Sequence, residues 1–354
     1  MKRRRVLGWA ATVLALPLVL FGTLCLGGSA LSPRDVALAL LSPFGGGGHS
    51  DPVIVSIVWD LRLARSLLAA VAGATLGAAG AVLQGLFRNP LADPYSLGVS
   101  SGASLGAVIA ISFGISSPFA SAGFAKAGMV AVALGAVELF AFAGAVLSAV
   151  LVYAVARRAR AAGPTAALLL SGTAVGAFVS ALVSLIVSLR DKDLHEVFFW
   201  LLGGFGGKSW ADLGAALPLA AISIIISLAL ARPLDLLGAG EEAAGSLGLD
   251  VTLTRRLAVA SSSLGAAAAV SAGGIIGFIG LLGPHMARLL VGPGHRRLIP
   301  ASAIAGATLL AAADAIARSI ASPLELPVGV VTAVIGAPLF LRLLSRPARE
   351  GDAA

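Results

Sequence analysis

The sequence has little charge, few aromatic residues and a single cysteine. Charged residues account for 12% of the 354 positions, against about 25% in a typical soluble domain, so an ordinary soluble globular protein is excluded. Cys25 lies inside an apolar run, and one cysteine supports neither a disulfide framework nor a cysteine metal site. Hydrophobic residues make up 58% of the chain, with a mean hydropathy of +0.97. Most of the chain is therefore expected to lie in lipid.

Apolar runs long enough to cross a bilayer recur along the whole chain. Crossing the hydrocarbon core takes about 20 residues of helix, and this length divides the sequence into ten predicted spans. The charge-free stretch Leu257–Leu282 is too long for one span, so we divide it at Gly273 and Gly274, where the backbone bends at little cost. The predicted spans are approximately 6–28, 63–87, 95–115, 128–156, 166–189, 213–232, 256–273, 275–291, 299–320 and 325–344. The expected fold class is an all-α membrane protein.

The distribution of lysine and arginine predicts the topology. The basic start, Met1–Arg5, precedes an apolar run, Val6–Gly28, that is longer than the core of a signal peptide, so we expect a retained first helix. With this end inside, 17 of the 25 Lys and Arg lie on the cytoplasmic side and 8 outside, as the positive-inside rule requires. The outer eight are Arg34, Arg62, Arg65, Lys126, Arg190, Lys192, Lys208 and Arg318.

This topology predicts a single transmembrane domain, 1–354, in the cell inner membrane with both termini cytoplasmic. The ends, 1–5 and 345–354, are predicted to be short cytoplasmic tails, and 235–250 a cytoplasmic loop. The net charge of +8 comes from short basic clusters between apolar runs, so it indicates topology and not nucleic-acid binding.

The two halves of the chain share a weak internal repeat. Three residues recur at an offset of 194 positions, and one copy would begin outside the membrane and the other inside. This arrangement is typical of an inverted-topology repeat. The matched pairs are Arg62 with Arg256, Gly80 with Gly274 and Pro90 with Pro284.

The segment Asn89–Pro94 predicts a rigid turn on the cytoplasmic side, because its two prolines cannot continue a helix and its Asn and Asp can bond the freed backbone groups. Together with its flanks, Gly80–Pro94 and Leu97–Ala103, it resembles the signature of the FecCD family, the permeases of type II ABC importers for iron-siderophores, haem and cobalamin. Three further segments resemble this family in the expected order: Phe199–Gly207, Gly273–Arg288 and Glu325–Ala333. The resemblance extends from about residue 59 to residue 342.

The resemblance implies two permeases of ten helices side by side, with a pathway lined by the fifth and tenth spans. Two cytoplasmic ATPase subunits would lie beneath them, and an extracytoplasmic substrate-binding protein would deliver the substrate. An iron-siderophore is the first expectation, with haem and cobalamin as alternatives, and the second permease is an identical copy or a paralogue. The rival from another class is a secondary transporter driven by an ion gradient, which also shows inverted repeats.

The resemblance also assigns roles to residues on the cytoplasmic side. The acidic insert around Glu241 is similar to the coupling helix that docks on the ATPase, although a solvated loop is the plainer alternative. The predicted ATPase contacts are Glu241, Ala244 and Gly248. The predicted cytoplasmic gate consists of Asn89, Leu91 and Thr165.

On the outer side, matching arginines of the family dock acidic residues of the binding protein, as bidentate guanidinium geometry allows. The predicted docking residues are Arg62, Arg65 and Arg318. The alternative is local pairing, of Asp60 with a nearby arginine and of Asp314 with Arg318 at i,i+4.

Two further patterns suggest ligand sites that the residues do not support. Leu202–Ser209 looks like a phosphate-binding loop, but leucine occupies the position of its first glycine, so ATP hydrolysis is expected on a partner and not on this chain. Acidic residues and a histidine crowd one outer loop, but their spacing matches no metal motif, so neither a metal nor a cofactor is expected. These residues are Asp191, Asp193, His195 and Glu196. Glu138 lies within a span and has no partner that the sequence identifies.

Overall fold

The computed structural model describes residues 2–27, 31–45, 51–115, 135–159, 163–190 and 193–344. Within these ranges the chain forms fourteen α-helices and no β-strand. The helices are α1 (Lys2–Cys25), α2 (Pro33–Leu41), α3 (Pro52–Phe87), α4 (Val99–Ser112), α5 (Ala136–Arg158), α6 (Pro164–Leu189), α7 (Leu194–Leu202), α8 (Trp210–Ala229), α9 (Ala231–Gly238), α10 (Glu241–Ser246), α11 (Val251–Gly273), α12 (Ile279–Val291), α13 (His295–Ile320) and α14 (Val328–Leu344).

Ten of these helices correspond to the ten predicted spans, so the all-α membrane fold is confirmed. They are α1, α3, α4, α5, α6, α8, α11, α12, α13 and α14. Among the described residues, six of them are long and apolar enough by themselves to cross a membrane, namely α1, α3, α5, α6, α8 and α13. The division of the seventh and eighth spans is also correct, because α11 ends at Gly273 and α12 begins at Ile279. The first residues of the predicted fourth span, 128–134, and the tail 345–354 lie outside the described residues.

The predicted start of the second span, residue 63, is wrong by eleven residues. The helix α3 begins at Pro52, and its second segment, Ile57–Leu63, is π-helical. The prediction ended the span at the charged residues near its outer end. In the structure Arg62 and Arg65 are buried among other helices, so the helix continues past them.

Helix α3 is the centre of the bundle, and its glycines allow neighbouring backbones to approach closely. A Cβ atom on Gly73 would lie 2.8 Å from the carbonyl carbon of Gly306 in α13, and one on Gly77 would lie 2.9 Å from that of Ser302. These two contacts run in opposite directions along the chain, so α3 and α13 are antiparallel. Such contact of small residues is the usual basis of helix packing in membranes, where lipid gives no hydrophobic drive between helices.

The inverted repeat is visible in the helices. A long helix, a break and a short helix occur twice, as α3 with α4 and as α11 with α12. Both short helices begin after a left-handed residue, Gly98 (φ 73°) and Phe278 (φ 68°). The second unit begins five spans after the first, so the two units cross the bundle in opposite directions. The two breaks are 180 positions apart, so they do not align at the predicted offset of 194.

Candidate functional site

The predicted coupling segment forms two short helices, α9 and α10, between the sixth and seventh spans. Glu241 begins α10 with its side chain 45% exposed, and it forms a 2.6 Å ion pair with Arg255 of α11. Gly248, also exposed, follows α10 in a left-handed conformation (φ 85°) that suits glycine. Ala244 is fully buried. Two of the three predicted ATPase contacts therefore lie on the surface, while the third, Ala244, packs α10 against the bundle.

Ala244 holds α10 against the bundle. It belongs to an apolar cluster with Leu234 and Leu237 of α9, and the cluster continues into α3 through Val82 and into α13 through Leu298. A helix anchored in this way moves together with the ends of the spans against which it packs, because close-packed side chains deform little.

The predicted turn after α3 has the expected local chemistry. Arg88 ends the helix in a left-handed conformation (φ 48°), and the Asn89 backbone N–H donates to the Gln84 carbonyl at 3.1 Å. The Asn89 side-chain oxygen accepts a hydrogen bond from the Leu91 backbone N–H at 2.9 Å, and Asp93 accepts one from Tyr95 at 2.8 Å. The prediction that Asn and Asp bond the freed backbone groups of the turn is confirmed.

The connector 88–98 then folds back into the bundle. A Cβ atom on Gly172, in the middle of α6, would lie 3.2 Å from the Ser96 carbonyl carbon, and Ser148 of α5 donates to the Gly98 carbonyl at 2.8 Å. The Tyr95 hydroxyl accepts a hydrogen bond from the Ile276 backbone N–H at 3.4 Å. The two breaks of the inverted repeat therefore meet inside the molecule.

The predicted gate residues lie in and beside this connector. Asn89 and Leu91 are half-buried in the connector, and Thr165 is half-buried in the first turn of α6, the helix on which the connector packs. In the same connector, burial raises the pKa of the Asp93 carboxyl to about 6, although the hydrogen bond from the Tyr95 backbone acts in the opposite direction.

The three predicted docking arginines form a buried cluster at the end of the bundle that the sequence predicts to be the outer one. Arg65 donates from Nε and Nη2 to Asp314 at 2.9 to 3.1 Å and from Nη1 to Glu325 at 2.9 and 3.0 Å. Asp314 is 1% exposed, whereas the Glu325 side chain is 49% exposed. Glu325 is therefore the partner through which Arg65 is connected to the surface of the molecule.

The other two arginines contact the end of α1. Arg62 donates to the Leu24 carbonyl at 2.7 Å, and Arg318 donates to the Thr23 carbonyl at 2.6 Å. Arg318 also lies 3.7 Å from Asp314. The predicted local pair of Asp314 with Arg318 is thus present, with Arg65 as the nearer partner of the carboxylate. A docking role for the three arginines stays a prediction.

An ion pair that the sequence did not predict joins the segment just before α8 to the first turn of α5. Lys208 contacts Glu138 of α5 at 2.6 Å and Asp212 of α8 at 3.3 Å. Glu138 therefore has a partner, 70 positions away along the chain. Lys208, the apparent phosphate-loop lysine, is bonded to two carboxylates of its own chain.

We expect Glu138→Gln to lower the free energy of unfolding by about 1 to 2 kcal/mol, because a charged hydrogen bond that is largely shielded from water is weakened. Lys208 keeps Asp212, which limits the loss. Thermal unfolding in detergent measures the effect, with Glu196→Gln on an exposed position of α7 as the control. Equal melting temperatures for the two variants would contradict the structural role of Glu138.

The segment with the candidate metal ligands, 191–196, forms no metal site in its described part. No group of three or more His, Cys, Asp or Glu side chains is placed to hold a metal ion among the described residues. His195 packs instead on the Phe199 ring, with 4.6 Å between centroids. Asp191 lies outside the described residues.

The profile of the FecCD transport family matches residues 14–346. The chain belongs to the FecCD transport family. It is 46% identical over 288 residues to the cobalamin import system permease protein BtuC of Halobacterium salinarum, covering 81% of this chain and 73% of that protein. It is 39% identical over 339 residues to the Fe(3+) dicitrate transport system permease protein FecD of Escherichia coli, covering 93% and 98%.

The fold matches a solved member of the same transporter class. An inward-facing ABC transporter described as of metal-chelate type superposes with a TM-score of 0.79 and 31% identity, covering 94% of this chain and 97% of that one. The chain is thus a multi-pass ABC importer permease of the FecCD type. Permeases of this family work with a separate ATPase and a substrate-binding protein.

Proposed function

We propose that this FecCD permease carries a bulky metal chelate inward across the cell inner membrane, powered by two ATPase subunits that dock on α10. The observation that carries the proposal is the family match over residues 14–346. Both termini would be cytoplasmic, and this chain would hydrolyse no ATP itself. A second permease, identical or a paralogue, would complete the pathway.

A corrinoid is the proposed substrate. The resemblance seen in the sequence favoured an iron-siderophore, but the relative at 46% identity is named for cobalamin import. An iron chelate remains the second candidate, since the 39% identical FecD protein is named for Fe(3+) dicitrate transport and is matched over 98% of its length.

Helices α6 and α14 are the proposed walls of the pathway. Four hydroxyl side chains occupy exposed positions of α6 that are 7, 4 and 4 residues apart, so they share one face. They are Thr173, Ser180, Ser184 and Ser188. Hydroxyls on an exposed face suit a water-filled path more than lipid, and α6 contains no charged residue that would trap a chelate. The exposed side of α14 is apolar, as at Val334 and Leu339.

The rival proposal, a transporter driven by an ion gradient, needs an ion site within the membrane. The two carboxylates that the sequence placed in or near spans are paired with cations, Asp314 with Arg65 and Glu138 with Lys208. This pairing favours the ATP-driven importer.

The substrate is tested by the ligand that the cognate binding protein retains. We expect the binding protein to bind cyanocobalamin in titration calorimetry and to deliver it to the reconstituted complex, with ferric dicitrate as the comparison. Binding of ferric dicitrate without cyanocobalamin would replace the corrinoid by an iron chelate. Binding of neither would contradict the metal-chelate proposal.

The coupling role of α10 is tested by changing its exposed residues. Glu241→Ala with Gly248→Phe is expected to lower uptake about tenfold while ATP hydrolysis continues, since a coupling energy of 1 to 3 kcal/mol corresponds to 5- to 150-fold. A side chain at Gly248 would also strain its left-handed backbone. Glu196→Ala on the opposite side is the control, and wild-type uptake in the double variant would remove α10 from coupling.

A further inference from the structure

His295, the first residue of α13, is held by Asp235 of α9 through two contacts to one oxygen. Asp235 Oδ1 accepts a hydrogen bond from the His295 backbone N–H at 2.9 Å and lies 2.7 Å from Nδ1 of its ring. Because an ionised carboxylate only accepts hydrogen bonds, Nδ1 carries the proton and donates it. The His295 side chain is 13% exposed. The pair therefore clamps α9 to the cytoplasmic end of a membrane span.

The opposite edge of the same ring fills a notch in α3. A Cβ atom on Gly85 would overlap Nε2 of His295 and would lie 3.0 Å from Cε1 and 3.1 Å from Cδ2. Gly85 belongs to the last turn of α3, and its carbonyl bonds the Arg88 backbone N–H that ends the helix. The imidazole is thus wedged between α9 and the start of the connector 88–98.

On its other side α9 is fixed to the coupling helix. Leu234 and Leu237 pack with Ala244 of α10 in one apolar cluster. An unbroken series of contacts therefore leads from α10 through α9, Asp235 and His295 to the end of α3, where the connector with the predicted gate residues begins.

We propose that His295 is a positioning residue that carries a displacement of α10 to the connector 88–98 through Asp235 and Gly85. This inference rests on the proposed function, in which an ATPase moves α10 and the connector gates the pathway. A tightly packed ring transmits displacement because closely packed interiors are nearly incompressible. The structure shows that the contacts from α10 to Gly85 are continuous. The energetic coupling between these residues is measured by double-variant cycles.

The experiment uses the complete complex of permease, ATPase and binding protein in proteoliposomes. The readout is the coupling ratio, the substrate transported per ATP hydrolysed. His295→Ala is expected to lower this ratio about tenfold, within the range of measured coupling energies, while ATP hydrolysis stays within about twofold of wild type. His195→Ala, the same change at an exposed outer histidine, is the matched control.

Two variants that change the sizes of residues 85 and 295 in opposite directions distinguish a loss of coupling from a loss of folding. Gly85→Ala pushes the ring out of its notch and is expected to uncouple transport, whereas Gly214→Ala, where a Cβ would meet no atom within 4 Å, is expected to leave the ratio unchanged. Adding His295→Asn to Gly85→Ala gives a shorter side chain that still presents an amide donor to Asp235. The double variant is expected to recover most of the coupling lost in Gly85→Ala.

The outcomes separate the two proposals. If wild-type complex shows no ATP-driven uptake, the proposed function fails. If wild type is active and His295→Ala keeps the wild-type coupling ratio, the positioning role alone is overturned. If the His295→Ala complex does not assemble, the test rests on Gly85→Ala and on the double variant Gly85→Ala with His295→Asn. An unchanged coupling ratio in Gly85→Ala would overturn the role of His295. A double variant that recovers no coupling would overturn it as well.

Discussion

Gly80→Ala is expected to lower the free energy of unfolding by about 3 kcal/mol or more, near the upper end of overpacking effects. A Cβ atom on Gly80 would lie 2.6 Å from the carbonyl carbon of Gly280 and 2.9 Å from its Cα. These are backbone atoms of α12 and cannot rotate away as a side chain would. The central helix must therefore separate from the short helix of the second repeat unit.

Thermal unfolding of the purified permease measures this effect. Gly214→Ala in α8 is the matched control, since nothing lies within 4 Å of its added Cβ and alanine in a helix is more stable than glycine by about 0.5 to 1 kcal/mol. We expect the two alanine variants to move the melting temperature in opposite directions. A Gly80→Ala protein as stable as the control would contradict the close contact of α3 and α12.

Asp314→Asn is expected to destabilise the fold by about 3 to 5 kcal/mol, the usual cost of removing one partner of a buried ion pair. Asp314 receives three hydrogen bonds from Arg65 and lies 3.7 Å from Arg318, and its side chain is almost fully buried. The amide keeps the shape but loses the charge. Arg318 then loses the carboxylate beside it, and Arg65 keeps only the half-exposed Glu325.

Glu325→Gln is the control on the same arginine. Its side chain also bonds Arg65 but is about half exposed, so water compensates for the lost charge and the expected cost is below about 1 kcal/mol. The two stability losses are compared by measuring the melting temperatures of both variants in the same detergent. Equal shifts in the two variants would contradict the larger role assigned to the buried Asp314.

The number and order of the spans could be predicted because both depend on local features. Apolar length and charge define eight of the ten helices to within a few residues at both ends, the exceptions being the starts of α3 and α5. The break after Gly273 follows from a glycine pair. The start of α3 could not be predicted in this way, because Arg65 is tolerated inside the bundle through carboxylates far along the chain, Asp314 and Glu325, which lie 249 and 260 positions later.

Among the candidate sites, too, local features could be predicted from the sequence, and features that depend on tertiary packing could not. The turn at Asn89 was predictable, since its hydrogen bonds join residues two positions apart. The partner of Glu138 was not, because the Lys208 contact depends on how distant helices pack. The inward position of Ala244 also depends on tertiary packing, and no charge pattern near it distinguishes it from the exposed Glu241. Asp235 and His295, 60 positions apart, gave no sequence signal.

ATP-driven uptake by proteoliposomes tests the central claim most directly. Vesicles would contain this permease with its ATPase, and the binding protein loaded with radiolabelled cyanocobalamin would be supplied on the side opposite the ATPase. We predict that uptake requires ATP, the ATPase and the binding protein, and that it persists when ionophores collapse the proton and sodium gradients. Uptake that proceeds without ATP and follows an imposed ion gradient would contradict an ABC importer.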